Sequence, residues 1–362
     1  MILMKNFKIN FNICKYVLPS YKLAYGSIKK VILIADLHNY TKSLKNRRQL
    51  AENIKERNPD HIVIAGDSMQ GIKWEKNIWL DKFKDFLADL SEQNPVFISQ
   101  GNHDLVGINS KNYNQRIGNF RKLADVRPGM IYPLVNDKVI IDNFEIIGYT
   151  PSYHIISGLG IQKHGFAHDQ FINEYDRDGI KPSMETDNIV EFVGHNPHLI
   201  AQSENGIGLG SLSSVDTFYT GHLHNGSHRS STISKNPDRF LDNGFVERPF
   251  TQNKDGKVFS FNPLIYGLTN LCRGVVYIDD RSQQQILQLS NGHFYKNVSK
   301  KDNVQKWKRI SSNSARIIIL SNKFKALIIT GGVNKFFNHN IFGDQPEITE
   351  TIYEGRGKIL IK

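Results

Sequence analysis

The chain alternates between short apolar runs and longer segments in which apolar residues recur at helical spacing. Three runs rich in Val and Ile lie at residues 31–35, 61–65 and 96–99. Such runs are typical of parallel strands that are covered on both faces. Between them, residues 45–57 and 79–90 place apolar side chains along one stripe, which predicts amphipathic helices. The predicted order is therefore β-α-β-α-β.

A polar residue that can bind a metal follows each of these three strands. Asp36 comes directly after the first strand, Asp67 follows the second after one glycine, and Asn102 follows the third. Ligands of open parallel sheets bind beyond the carboxyl ends of the strands, so these side chains are expected at one edge. Carboxylate and amide oxygens, together with histidine nitrogens, are ligands that divalent Mn, Fe or Zn accept. The pattern predicts a metal site there.

In the rest of the chain, the residue pattern predicts further strands, one helix and one long loop. The strands are expected at residues 130–135, 138–141, 144–149, 189–193, 215–220, 274–279, 315–320, 326–330 and 347–353. The helix is expected near residues 114–123, whereas residues 151–187 show no strong period. Residues 227–264 are rich in Ser, Asn, Gly and Pro, which predicts a long loop or lid.

The composition is that of an ordinary globular protein. The 362 residues are 39% hydrophobic and 22% charged, which allows a large core. Cys14 and Cys272 match no metal-binding spacing; unpaired thiols in a reducing compartment are the simplest interpretation, with a disulfide as the alternative. No apolar run approaches the roughly 20 residues that cross a bilayer, and lysines interrupt the N-terminal segment, so no signal peptide is predicted. A cytoplasmic location is expected.

The charge of the chain is strongly basic. The net charge is +11 and the isoelectric point is near 9.4, which raises the hypothesis of nucleic-acid binding. Because Lys, Asn and Ile are abundant throughout, genomic base composition is the simpler explanation. Basic residues concentrate within residues 296–325; a solvated surface is expected there, and contact with an anionic substrate, membrane or polymer is the alternative.

Five short motifs occur in one order along the chain. They are D-L-H at 36–38, G-D at 66–67, G-N-H-D at 101–104, G-H at 194–195 and G-H-L-H at 221–224. In order and type they resemble the calcineurin-like metallophosphoesterase superfamily, whose pattern is D-x-H, G-D, G-N-H-D/E, H and G-H-x-H. Each motif alone is weak, but five in order at predicted strand ends are not expected by chance. Residues 331–332 and 346–349 are similar to the closing strands of a bacterial branch of small phosphodiesterases.

The resemblance implies an α/β fold: a four-layer α/β/β/α sandwich of two mixed β-sheets flanked by helices. It also implies a single domain over residues 1–362. Residues 227–264 would form a loop or lid insertion. Residues 265–362 would provide the C-terminal strands that complete the second sheet, with a basic insertion around residues 292–325. The oligomeric state is not indicated.

The resemblance further implies a centre of two divalent metal ions, either Mn, Fe or Zn, with Mn favoured. The expected ligands of the first metal are Asp36, His38, Asp67 and His224. Those of the second are Asp67, Asn102, His195 and His222. Asp67 would bridge both metals, because two cations about 3.5–4 Å apart need an anion between them.

The implied reaction is hydrolysis of a P–O bond by a hydroxide that bridges the metals. His103 would lie outside the ligand set, where it protonates the leaving oxygen or stabilises its charge. Asp104 would hold the other nitrogen of that ring; capping of the following segment is the alternative.

Departures from the protein Ser/Thr phosphatases narrow the expected substrate. Those enzymes extend the second motif to Asp-Arg-Gly and end the third in Glu, whereas here Ser68 follows Asp67 and the third motif ends in Asp104. Without an arginine to clamp a dianionic phosphate, a phosphodiester of a small molecule or lipid headgroup is favoured. Members of the phosphodiesterase branch often carry an N-terminal membrane helix; none is expected here, and peripheral membrane contact is the alternative to a purely cytoplasmic location.

Two alternatives remain open at this stage. One is a nuclease of the same superfamily, supported only by the basic charge, since no aromatic-interleaved basic motif is evident. The other is a degenerate member that serves as a binding scaffold. Such members typically lose ligands, whereas all seven candidate ligands and His103 are present in this chain.

Overall fold

The computed structural model describes two mixed β-sheets with helices against them. The residues described are 11–38, 40–69, 78–105, 110–150, 186–195, 202–203, 206–207, 214–221, 250–252, 259–261, 274–279, 284–289, 294–297, 307–321, 323–330 and 346–357. Within these ranges, no helix has the length and apolar character needed to cross a membrane. Cys14 is a buried thiol, whereas Cys272 lies outside the described residues.

The first sheet contains six strands within the described residues. They are β1 (Asn12–Ser20), β2 (Ile28–Ile34), β3 (His61–Ala65), β4 (Val96–Ser99), β5 (Ile131–Pro133) and β19 (Glu347–Gly355). Their spatial order is β1-β19-β2-β3-β4-β5. Strands β2, β3 and β4 are parallel, as predicted, and β5 continues the parallel order, while β19 is antiparallel to β2 and parallel to β1. The carboxyl ends of β2, β3 and β4 therefore meet at one edge.

The second sheet contains nine strands in the part of the chain that the structure describes. They are β6 (Asp137–Ile141), β7 (Phe144–Gly148), β8 (Ile189–Val193), β11 (Thr217–Thr220), β14 (Gly274–Asp279), β15 (Gln285–Leu289), β16 (Phe294–Asn297), β17 (Trp307–Ile310) and β18 (Phe324–Ile329). Their spatial order is β17-β16-β15-β14-β18-β11-β8-β7-β6. The central strands β7, β8, β11 and β18 are parallel. The expected basic insertion thus contributes β16 and β17 at one edge of this sheet.

Two short strand pairs and several helices complete the described structure. The pairs are β9 (Gln202–Ser203) with β10 (Gly206–Ile207), and β12 (Phe250–Gln252) with β13 (Phe259–Phe261). The α-helices are α1 (Leu44–Lys55), α2 (Ile78–Leu90), α3 (Asn102–Leu105), α4 (Ser110–Arg121) and α5 (Ser312–Ser321). Short 3₁₀ helices span Tyr40–Lys42 and Lys122–Val126. The three predicted helices correspond to α1, α2 and α4.

The two faces of the first sheet pack into different cores, because successive side chains of a strand point to opposite faces. Ile34 of β2 lies in a core that also contains Phe86 of α2. Its neighbour Leu33 lies in a second core with Tyr219 of β11, in the other sheet. Apolar burial therefore packs helices on one face of the first sheet and the second sheet on its other face. A fourth, helical layer stays a prediction.

The strand predicted at residues 315–320 is wrong, because these residues form part of α5. In a strand Ile317 and Ile319 would share a face, but Ile319 is 5% exposed and Ile317 is 67% exposed. The Ser311 hydroxyl accepts the backbone N–H of Ser314 at 3.1 Å, which caps the helix N-terminus. The β-branched run favours a strand locally, but this cap and the tertiary packing of one helical face override that preference.

Candidate metal centre

The candidate ligands lie at the edge where the parallel strands of both sheets end. Asp36 and Asp67 each lie two residues beyond β2 and β3, and Asn102 begins α3 just after β4. His195 reaches the same edge from the second sheet, two residues beyond β8. His222 and His224 lie outside the described residues. The preceding Gly221 is described: a Cβ added there would come within 2.6 Å of Asp36 Oδ2, so β11 also ends against Asp36.

The loops after β2 and β3 hold their ligands in an uncommon backbone conformation. Asp36, His38 and Asp67 have φ values of 53°, 45° and 50°, in the left-handed region that costs a non-glycine residue about 1–3 kcal/mol. Two backbone hydrogen bonds join the loops: Asp36 donates to the Gly66 carbonyl at 3.1 Å, and His38 donates to the Asp67 carbonyl at 2.8 Å. The backbone thus fixes the first two motifs against each other.

Glycine is required where the loops approach most closely. Gly66 has a φ of 76°, and a Cβ there would lie 2.7 Å from His195 Cβ. A Cβ at Gly101 would collide with the Asp67 carboxylate and backbone nitrogen. The glycines of the G-D and G-N-H-D motifs therefore let the ligand-bearing loops of β3, β4 and β8 come into contact.

The side chains of four candidate ligands converge in a buried space around Asp67. His195 Nε2 lies 3.1 Å from Asp67 Oδ2, 3.1 Å from Asn102 Oδ1 and 4.0 Å from Asp36 Oδ1. From the other side, His38 Nε2 lies 3.9 Å from Asp67 Oδ2. Ligands about 2.0–2.2 Å from one metal lie at such separations from each other. Two groups of closely spaced ligand atoms result, and Asp67 belongs to both: Asp36–Asp67–His195 and His38–Asp67–His103.

The hydrogen-bond partners of the His195 ring require a positive charge next to its Nε2 atom. Its Nδ1 lies 2.8 Å from the Ala65 carbonyl oxygen, which can only accept, so Nδ1 carries the proton. Nε2 then faces the oxygens of Asp36, Asp67 and Asn102, all of which are acceptors. Either a second proton or a metal ion must lie between them. The residues present therefore fit a divalent cation.

Without a metal, a proton on His195 Nε2 lies opposite Asp67. Burial alone lowers the pKa of the His195 imidazole, but the charge of Asp67 and its hydrogen bond outweigh burial and raise that pKa to about 10. For Asp67, burial alone raises the pKa of the carboxyl, and the charge of His195 reverses the effect and holds it well below its usual range. The pocket thus stabilises an anionic Asp67 opposite a positive charge.

Asp104 makes contacts that the sequence did not predict. Its Oδ1 accepts the backbone N–H of Met69 at 2.8 Å, and its Oδ2 accepts the N–H of Gly101 at 2.9 Å and of Ser68 at 3.4 Å. Burial, followed by the charge of Asp67, raises the pKa of Asp104 to about 7. Asp104 therefore joins the loops after β3 and β4, and its expected role toward the His103 ring stays a prediction.

His103 lies beside the ligands and is only half-buried. Its backbone N–H donates to Asp67 Oδ1 at 2.7 Å, and its ring packs edge-on against His38 with centroids 4.8 Å apart. A nitrogen of His103 belongs to one of the two ligand groups, although the sequence placed this residue outside the ligand set. Its role at the leaving group stays a prediction.

The family comparison covers the part of the chain that carries the candidate site. The family model described as calcineurin-like phosphoesterase matches residues 29–226, more than half of the chain. A dimetal phosphatase from Danio rerio is 13% identical, with a TM-score of 0.31 over 54% of this chain and 82% of that chain. Another crystal structure is 15% identical, with a TM-score of 0.32 over 54% and 84% of the two chains. No curated protein matches. The chain belongs to the calcineurin-like phosphoesterase family and is a metal-binding phosphoester hydrolase.

Proposed function

We propose that the chain is a phosphodiesterase with two divalent metal ions, and that Asp67 bridges them. The observation that carries the proposal is the membership of Asp67 in both groups of ligand atoms. A bidentate carboxylate between two cations offsets their repulsion. Asn102 and His195 would hold one metal with Asp67, and His38 would hold the other. The resemblance places Asp36 at the metal of His38, but Asp36 Oδ1 lies 4.0 Å from His195 Nε2, in one group with Asp67 and His195, so we assign Asp36 to the metal of His195. His222 and His224 are proposed as further ligands from the motif that starts at Gly221.

The proposed role of each residue follows from the atoms that it places in the site. Two bound cations would provide a nucleophile from water near neutral pH and neutralise the phosphoryl oxygens. Asp104 keeps the loops of β3 and β4 together through backbone amides, and Ala65 fixes the tautomer of His195. His103, half-exposed beside His38, would donate a proton to the leaving oxygen or stabilise its charge.

Manganese is the metal that we favour. The ligand set combines carboxylate and amide oxygens with imidazole nitrogens, and the described ligands include no thiolate. Oxygen-rich mixed sites suit Mn²⁺ and Fe²⁺, whereas softer sulfur-containing sites favour zinc or copper.

A diester is favoured over a phosphoprotein monoester. The position after Asp67, where protein phosphatases carry an arginine, is occupied by Ser68, which is buried and directs its backbone N–H to Asp104. A monoester dianion would therefore lack a guanidinium partner there. A phosphodiester carries one negative charge and depends less on such a clamp. We propose a small-molecule or lipid-headgroup diester as substrate.

We also propose that residues 1–362 form one domain. β19, near the C-terminus, lies between β1 and β2 of the first sheet, and β14 to β18 extend the second sheet beyond β11. Residues 227–264, which are proposed to form a lid, lie outside the described structure except for β12 and β13.

An activity screen tests the function. Metal-stripped protein would be reloaded with Mn²⁺ and assayed on a bis-aryl phosphodiester, an aryl monoester and single-stranded DNA. We expect metal-dependent hydrolysis, lost with EDTA, that is faster on the diester. Preference for DNA would indicate a nuclease instead. Two bound metals without turnover of any substrate would indicate a binding scaffold.

A further inference from the structure

A buried polar cluster lies between the two sheets, away from the candidate ligands. Its centre is Glu191 of β8, which is fully buried. Glu191 Oε2 lies 2.7 Å from Nε2 of His61, the first residue of β3. The hydroxyls of Tyr353 and Tyr219 lie 2.8 Å and 3.2 Å from Glu191 Oε1, and 2.9 Å from each other. The cluster thus joins β3 and β19 of the first sheet to β8 and β11 of the second.

The strands that meet in this cluster are the strands that carry the candidate ligands. β3 leads to Asp67, β8 leads to His195, and β11 leads to the motif that begins at Gly221. β3 and β8 face each other across the sheet interface with one constant offset. His61 contacts Glu191, and four residues further along both segments the Ala65 carbonyl, at the end of β3, contacts His195, two residues beyond β8.

We propose that Glu191 and His61 are positioning residues that fix the register of β8 against β3, and thereby the position of His195 relative to Asp67. This inference rests on the proposed metal centre. Apolar contacts between the sheets, such as those of Val63 and Val193 in the shared core, are non-directional and tolerate sliding. A hydrogen-bonded pair is directional. Displacement by one residue would move His195 by about 3.3 Å along the strand, too far for ligation at about 2.0–2.2 Å.

The surroundings of His61 make the pair specific. Its ring packs edge-on between Phe144 and Phe97, with centroids 4.6 Å and 5.4 Å away. The imidazole therefore cannot turn freely to a different partner. A buried pair of this kind contributes little net stability compared with apolar side chains of similar size. The His61–Glu191 pair instead favours one position of the second sheet relative to the first.

Glu191→Leu tests the proposal, with Glu145→Leu as the matched control. Glu145 of β7 is equally buried in the second sheet, but it pairs with Lys138 on the neighbouring strand of the same sheet, at 3.3 Å. Calorimetric titration of metal-stripped protein with Mn²⁺ should show a Kd raised about 10–100-fold in the Glu191→Leu variant, the range typical of residues that orient ligands. Glu145→Leu should lower the melting temperature but leave the Kd near that of wild type. Glu191→Gln keeps the size and one acceptor oxygen for the tyrosine hydroxyls, and its NH2 can donate to the other tautomer of His61, so this variant should restore most of the affinity.

A second readout needs no metal. In metal-free wild type, nitrogen NMR of the imidazoles should show the His195 Nδ1–H protected from exchange by its bond to Ala65, and Glu191→Leu should remove that protection. Should Glu191→Leu fail to fold, the double variant Tyr219→Phe/Tyr353→Phe removes two hydroxyls, keeps both rings and should raise the Kd by a smaller factor. Equal changes of Kd in the Glu191→Leu and Glu145→Leu variants, or unchanged His195 protection, would overturn the proposal. Metal binding by Asp67→Ala at the wild-type level would overturn the metal centre instead.

Discussion

We expect the candidate centre to depend on Asp67 more than on any other ligand. Its Oδ2 faces both His195 and His38, while its Oδ1 accepts the N–H of His103. No other residue in the described part of the centre is shared by both groups of ligand atoms. The surrounding side chains are therefore arranged around one buried carboxylate, and its charge determines the protonation of its neighbours.

Replacing Asp67 with alanine should remove metal as well as activity. Without the anion, two cations in the buried space would repel each other, so we expect metal content well below wild type and the largest loss of rate among single ligand changes. Elemental analysis of the purified protein measures the metal content. Asp125→Ala, at an exposed position, is the control for metal that is lost during purification. Retention of two metals per chain in the Asp67→Ala protein would exclude the bridging role.

Replacing His103 with alanine should leave the metal content near wild type, because its proposed role is at the leaving group. Loss of a general acid costs about 10²–10⁴ in rate. The loss should be smaller for a nitrophenyl diester than for an alkyl diester, since nitrophenolate departs without a proton. Comparison of kcat on both substrates checks this. Equal losses would favour a charge-stabilising or positioning role, and a loss of bound metal would make His103 a ligand.

Among the elements, the loops after β2 and β3 and the helix α5 differ most from what local propensity favours. Asp36, His38 and Asp67 adopt left-handed backbone conformations that tertiary contacts stabilise. In α5, Ala315 and Ile319 are buried while Ile317 is exposed, so the helix presents a single face to the second core. In both cases the packing against neighbouring elements overrides the preference of the short segment.

A pair of substitutions tests the helix. Ile319→Ala should lower the free energy of unfolding by about 2–4 kcal/mol, as expected for a buried Ile, whereas Ile317→Ala should change it by less than about 0.5 kcal/mol. Urea denaturation followed by circular dichroism measures both. A strand would place the two side chains on the same face, so similar losses would contradict the helical assignment.

At the scale of the whole molecule, we expect a metal ion and a proton to compete for the position between His195 Nε2 and Asp67. A base whose pKa is higher in the folded than in the unfolded protein stabilises the fold while it is protonated. For the His195 imidazole the pKa rises from the usual 6.5 to about 10 in the metal-free fold. This stabilisation is therefore complete below about pH 6.5 and is lost as the pH rises toward 10.

Metal-free protein should accordingly lose thermal stability between pH 6.5 and 9, and bound Mn²⁺ should reduce that loss because the cation replaces the proton. Calorimetry in EDTA and in excess Mn²⁺ measures the two pH profiles. The variant His195→Gln should show a flatter metal-free profile than wild type. Parallel profiles with and without metal, or an unchanged profile in the variant, would show that His195 does not carry the competing proton.

The sequence by itself determined the elements that a short, continuous pattern of residues predicts. Continuous apolar runs identified β2, β3 and β4, and the polar residues at their ends identified Asp36, Asp67 and Asn102 as neighbours at one edge. The same local reasoning failed for residues 315–320, because a β-branched run does not reveal which of its side chains will be buried. Local reasoning also did not predict β1, whose partner strand β19 lies more than 300 residues later in the sequence.

The tertiary structure decided what depends on contacts between the two sheets. His195 faces Asp67 only because β8 packs on β3, and the contacts at the two ends of β3 join residues 130 positions apart. The hydrogen bonds that Asp104 accepts from the backbone amides of Ser68 and Met69 likewise require two loops to meet. No periodicity or propensity encodes such partners, because hydrogen-bond geometry across an interface is set by packing of the whole fold.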